Sequence, residues 1–253
     1  MRYIKSILAC LACTVFSGAL FGTPLVDADL VLSGPSNFGQ GFGNAPRMLT
    51  VQSTGNVSVE SGCVGYAGGS LSVGPSSCSG LGVNAPVGGD EPNPQGNFPK
   101  FSVATLSSLN YTDASQVQIL FDATEPGSTT SLNMDQLVMK IYSSTGTLLV
   151  VNTLVSPGLV LDPTVQGNGR FDYAFGLNTA GVNFLNTNIF NTAGYQTDVI
   201  TLESTMSNVH GGPESFVMQG VPGGSTSTVP EPASFVLLSG GLFGLAWLRR
   251  HAR

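Results

Sequence analysis

One histidine, His210, lies in the central body of the chain, and a histidine-dependent nucleophile relay would have to be built on it. It sits in Asn208-Val209-His210-Gly211-Gly212-Pro213, a turn sequence, and no Gly-x-Ser-x-Gly elbow occurs. A surface turn histidine is the expected role. Zinc needs three or four ligands, usually several His or Cys, which one histidine cannot supply. Asp113, Asp122, Asp135, Asp172, Asp198 and Glu203 are of the type that hydrolyses glycosides in pairs. Pairs at suitable separations arise in any body with this many acids, so no catalytic residue is assigned and no enzyme is expected. Asp90-Glu91, Asp162, Asn168 and Asp172 offer oxygen ligands from loops, the kind that Ca²⁺ takes. Neither EF-hand nor nonapeptide spacing accompanies them. The expectation is solvated carboxylates, no metal site and no cofactor, with a structural Ca²⁺ as the alternative.

Two further sets of residues carry chemistry of another kind. Cys63 and Cys78 are the cysteines left if the first 28 residues are removed, and an even pair in an exported chain predicts a disulfide. Chain entropy gives such a loop about 3 kcal/mol. A redox pair or metal ligands would need a different spacing. Among the aromatic residues, Phe171, Tyr173 and Phe175 share a strand face and read as core. Tyr111 and Tyr195 stand among polar residues and are the candidates for stacking on a sugar ring.

The elements that would hold these residues are strands. Val117, Ile119 and Phe121 alternate with Gln116, Gln118 and Asp122, and Tyr173, Phe175 and Leu177 continue the pattern begun at Phe171. Val57 and Val59 flank Ser58. Leu137 to Tyr142 and Leu148 to Val151 flank Ser143-Ser144-Thr145-Gly146-Thr147, a hairpin signal. Further strands are predicted at 49–52, 101–106, 199–203 and 215–218. One short helix is predicted near 179–186, with Val182 and Leu185 on one face. Residues 74–99, rich in Gly and Pro, read as a long exposed loop. The fold class is all-β, a β-sandwich of jelly-roll type with one short helix. A signal helix at the N-terminus and a single transmembrane helix at the C-terminus complete it.

Composition bounds the partners. The 253 residues include 33 Gly and 15 Pro, and only 9 % are charged, against roughly 25 % in an ordinary soluble domain. The body, residues 29–221, holds four basic residues (Arg47, Lys100, Lys140 and Arg170) against 13 acids. Nucleic-acid binding, which draws its affinity from Lys and Arg on phosphates, is excluded as an expectation.

The ends read as addresses. Residues 1–28 have the parts of a secretory signal peptide: Arg2 and Lys5, an apolar run from Ile7 to Phe16, and small residues before the cut. Val26-Asp27-Ala28 predicts cleavage after Ala28, with Ser17-Gly18-Ala19 as the competing site. At the other end, Gly223 to Thr228 form part of a flexible linker, residues 222–229. Pro230-Glu231-Pro232 follows, then an apolar span over 233–248, then Arg249, Arg250 and Arg253. The span is about 24 Å as a helix, against a bilayer core of about 30 Å, and the arginines would form a cytoplasmic positive stop.

Residues 230–253 resemble a PEP-CTERM sorting signal: the Pro-Glu-Pro motif, the short Gly-containing span and the terminal Arg cluster occur in that order. The resemblance implies recognition by exosortase and removal of the span. It also implies a mature protein released to or attached at the outer surface of a Gram-negative bacterium that makes exopolysaccharide. A permanent single-span anchor is the other reading of the same residues. The expectation is therefore an exported structural protein of the cell surface or extracellular matrix. It is tethered to the inner membrane as a precursor, processed by exosortase and associated with exopolysaccharide. A carbohydrate-binding module is the alternative, and an extracellular hydrolase is less favoured.

Overall fold

A computed structural model describes residues 23–35, 47–51, 58–73, 101–123, 131–162, 172–210 and 213–220. The segment before residue 23 expected to be a signal peptide, the stretch 74–99 expected to be a loop and the whole sorting tail lie outside the described residues. Among those described, no helix is long and apolar enough to cross a membrane.

The described residues are mostly β. The strands are β1 (Leu25–Pro35), β2 (Arg47–Val51), β3 (Val59–Ala67), β4 (Ser70–Val73), β5 (Ala104–Thr105), β6 (Gln118–Asp122) and β7 (Leu132–Tyr142). They continue with β8 (Leu148–Leu154), β9 (Leu159–Leu161), β10 (Tyr173–Leu177), β11 (Val199–Ser207) and β12 (Glu214–Met218). One short helix, α1 (Thr179–Leu185), runs into a π-helical turn at Asn186–Phe190.

Ten strands form one path in the order β2-β12-β6-β10-β1-β8-β7-β11-β3-β4, with β5 on β11 and β9 on β7. The path curls. Met48, Leu49 and Val51 of β2, at one end, share a single apolar core with Val64 of β3, near the other. Ile119, Phe121, Phe175 and Phe216 meet Leu137, Met139, Ile141 and Leu202 in that core. The Phe121 and Phe216 rings lie 4.8 Å apart, tilted by 31°.

The hairpin expected at 137–151 is present as β7 and β8. Its turn closes through the Ser143 N–H donating to the Thr147 carbonyl at 2.8 Å. Leu137, Met139 and Ile141 face the core, as the alternation requires. The expected helix is α1, begun by Asn178, whose side chain accepts from the Gly181 N–H. The stretch 101–106 forms a strand only over Ala104–Thr105, while β4 and β9 are short strands with no distinct alternation.

The outer side of the sheet is not uniformly wet. Leu120, Ala174 and Val217 form a small buried cluster there, and Cys63, Val138 and Val151 form another. Both faces of β6, β7 and β12 are therefore covered, which strict apolar/polar alternation does not describe.

β1 joins the two arms of the sheet. Its first half pairs parallel with β8, from Leu25↔Val150 to Leu30↔Leu154. Its second half pairs antiparallel with β10, from Leu30↔Leu177 to Pro35↔Tyr173. Ala28, the expected cleavage position, therefore lies inside a paired strand.

Candidate functional site

The described residues gather their charged groups inside the fold rather than in one cleft. Lys140 of β7 and Glu203 of β11 form an ion pair of 2.9 Å in which both side chains are 0 % exposed. Strand register explains the meeting. Lys140 pairs with Thr201 on one side and Val151 on the other, while Glu203 pairs with Val138 and Cys63. All lie on the face opposite Met139 and Leu202, beside the buried Cys63–Val138–Val151 cluster. Tyr142 stands on that face too. Burial and then the Glu203 charge push its hydroxyl up to about 12. Lys140 and Glu203 are a structural feature that the sequence reading did not assemble. Lys140 was legible as a lone cation in an apolar strand, but its partner lies 63 positions away on another strand.

A second polar centre lies under α1. Asp29 is 4 % exposed. Its N–H donates to Asn152 Oδ1 at 3.1 Å and its carbonyl accepts from the Asn178 N–H at 3.0 Å. The helix sits so close that a Cβ on Gly181 would come within 2.4 Å of Asp29 Cβ. Burial raises the Asp29 carboxyl above the usual range, a hydrogen bond from Asn178 opposes this, and the neighbouring Asp27 charge adds to the rise.

The acids considered for catalysis do separate jobs. Asp113 caps the turn at Ala114–Gln116, accepting from the Ser115 N–H at 2.7 Å and from Asn186 Nδ2 at 2.8 Å. The Ser115 hydrogen bonds hold its carboxyl below the usual range. Asp172 accepts from the Ala123 N–H at 3.1 Å and, like Asp122, is fully buried. Asp135 lines a cavity of about 390 Å³ with Val26, Gln136, Thr153, Leu154 and Pro157. Asp162 is exposed, and its backbone holds the Tyr173 hydroxyl. Asp90, Glu91 and Asn168 lie outside the described residues. Among the described residues no three His, Cys, Asp or Glu side chains gather where they could hold a metal ion. His210 is exposed just past β11.

Asp198 is different. Burial pushes its carboxyl up to about 6. The folded protein therefore binds a proton that the unfolded chain, with a carboxyl near 3.9, releases earlier. Asp198 thus stabilises the fold below about pH 4, and that contribution is lost as pH rises through about 6. Asp198→Asn is expected to remove this dependence. Urea denaturation should show it more stable than the parent by about 1–3 kcal/mol at pH 7.5 and equal to it near pH 4. Parallel pH profiles would show that the carboxyl is not the titrating group.

The two tyrosines expected at sugar-stacking edges part ways. Tyr111 is 1 % exposed, its hydroxyl donates to the Gln219 carbonyl and accepts from the Gln118 N–H, and burial pushes it up to about 12. Its ring has no face free for a sugar, which corrects that expectation. Asn110 and Thr112 made the segment look polar, but the side chain turns inward. Tyr195 is half-buried, with its ring 5.4 Å from that of Phe190. Cys63 is fully buried on β3, while Cys78 lies outside the described residues.

Residues 228–250 match the PEP-CTERM protein-sorting motif. The match takes in Pro230, Glu231, Pro232, Arg249 and Arg250 and stops short of Arg253. The motif points to an exosortase-processed surface protein whose C-terminal region anchors the precursor in the membrane. No curated protein and no solved structure matches the chain.

Proposed function

We propose that the chain is an exported structural protein of the outer cell surface or extracellular matrix, released from its membrane anchor by exosortase and associated with exopolysaccharide. The observation that carries this reading is the sorting motif at 228–250, placed just after a β-rich body. The Gly/Ser/Thr run over 223–228 gives a membrane-bound enzyme room to reach Pro230-Glu231-Pro232. Arg249, Arg250 and Arg253 hold the far side of the 233–248 span in the cytoplasm until the cut is made.

The body is read as a sandwich of jelly-roll type whose two arms close on the shared core. A Cys63–Cys78 disulfide would tie the start of the 74–99 loop to β3. Cys63 and Cys78 being the cysteines that remain if Cys10 and Cys13 leave with a signal peptide supports it. Two features favour a passive surface role. The buried cation Lys140 is spent on an internal ion pair, and the body carries nine more acids than bases. An anionic coat stays soluble and repels other polyanions. Association with a polysaccharide would then rest on uncharged contacts, for which the half-buried Tyr195 is one candidate ring. This same ring favours the second reading, a carbohydrate-binding module.

Intact-mass measurement on protein recovered from its own cells and medium tests the proposal. The mature chain is expected to end near Pro230-Glu231-Pro232, and Glu231→Ala is expected to leave the tail in place. A wild-type mass running through Arg253 makes the tail a permanent anchor and overturns the exosortase reading.

A further inference from the structure

We infer that the signal peptide is removed after Ala19, and that Leu25–Ala28 remain in the mature protein as the first half of β1. Two cleavage sites fit the small-residue rule at −3 and −1: Ser17-Gly18-Ala19 and Val26-Asp27-Ala28. The sequence alone places the cut at the second of these, after Ala28, with the first as its competitor. The fold separates them.

Strand β1 is the link between the β10 arm and the β8 arm, and it reaches β8 through the residues the second cut would discard. Of the four register pairs between β1 and β8, Leu25↔Val150, Val26↔Val151 and Asp27↔Asn152 lie before Ala28, and only Leu30↔Leu154 lies after it. Thr153 Oγ1 also donates to the Asp27 carbonyl at 3.3 Å. Val150, Val151 and Asn152 are 0 %, 2 % and 0 % exposed. Removing residues 25–28 would strip one side of β8 of its hydrogen-bonding partner in the interior of the sheet. Buried backbone N–H and C=O groups are almost always paired, and an opened edge invites pairing with other chains.

The cut would also place a charge badly. Asp29 would become the first residue, and its N–H, now donating to Asn152 Oδ1, would become an ammonium at a position 4 % exposed under α1. Burying a charge is costly unless it is paired and hydrogen-bonded. A cut after Ala19 avoids both consequences. Water adds across the Ala19–Leu20 peptide bond, leaving the Ala19 carboxylate on the discarded peptide and the Leu20 ammonium on the mature chain. Five residues, 20–24, then precede β1.

The test is N-terminal sequencing of the full-length chain exported by its own cells, together with two variants. The expected N-terminus is Leu20. Ala19→Leu, which puts a large residue at −1, is expected to accumulate uncut precursor. Ala28→Leu is expected to be processed like the parent, and its exposed position keeps the substitution from disturbing the fold. An N-terminus at Asp29 overturns the inference, as does the reverse pattern, with Ala28→Leu blocked and Ala19→Leu processed normally. Because the readout is at the N-terminus, it is independent of whether exosortase removes the tail.

Discussion

Replacing Lys140 with methionine is expected to cost about 3–5 kcal/mol of folding free energy, the usual consequence of leaving one member of a buried ion pair without the other. Glu203 would stay at 0 % exposure, flanked by Val138 and Cys63, with the Lys140 ammonium gone from its side. The single change is harmful for what it strands, more than for the bond it breaks. The double variant Lys140→Met, Glu203→Leu is therefore expected to recover most of the loss, because well-packed apolar replacements of a buried pair are often neutral or stabilising. Urea denaturation of the mature protein checks both: the midpoint should fall sharply in the single variant and return in the double, with the slope unchanged. Equal losses in both variants would show that the pair contributes net attraction beyond its own desolvation.

That pair also marks where sequence reading stops. The 137–151 hairpin was legible because its alternation and its turn residues agree, and α1 was legible from Val182 and Leu185 sharing one face. The burial of Lys140 was not. Alternation assigns every second residue to water, whereas the outer face of β7 carries its own small core of Cys63, Val138 and Val151. Nothing local to residue 140 records a partner on β11. Tyr111 failed for a related reason, since its inward turn is set by the carbonyl of Gln219, 108 residues on. β1 was hidden by a true ambiguity. Val26-Asp27-Ala28 satisfies the small-residue rule for cleavage and also extends a strand, and only the pairing with β8 distinguishes the two. The sorting tail shows the opposite case: its information is carried by residue type and order alone, so it was readable without any fold.

Gly146→Ala should be the second most damaging of these changes, at about 2–4 kcal/mol. Gly146 sits at the tip of the β7–β8 hairpin with φ +88°, a conformation that L-residues with a Cβ adopt at a cost of about 1–2 kcal/mol. Strain is only part of it. A Cβ there would lie 2.5 Å from the Gly68 nitrogen, 3.0 Å from the Gly69 nitrogen and 3.1 Å from the Ala67 carbonyl carbon. All three are backbone atoms of the turn between β3 and β4, so no side chain can swing aside, and one turn must move off the other. The Tyr66 and Tyr142 rings, edge to face at 6.4 Å, would move with them. Gly158 provides the control. It has φ +73° and nothing within 4 Å of its Cβ position, so Gly158→Ala carries the strain without the collision. Denaturation midpoints should place Gly146→Ala well below Gly158→Ala. Equal midpoints would mean that the two turns do not press on each other in solution.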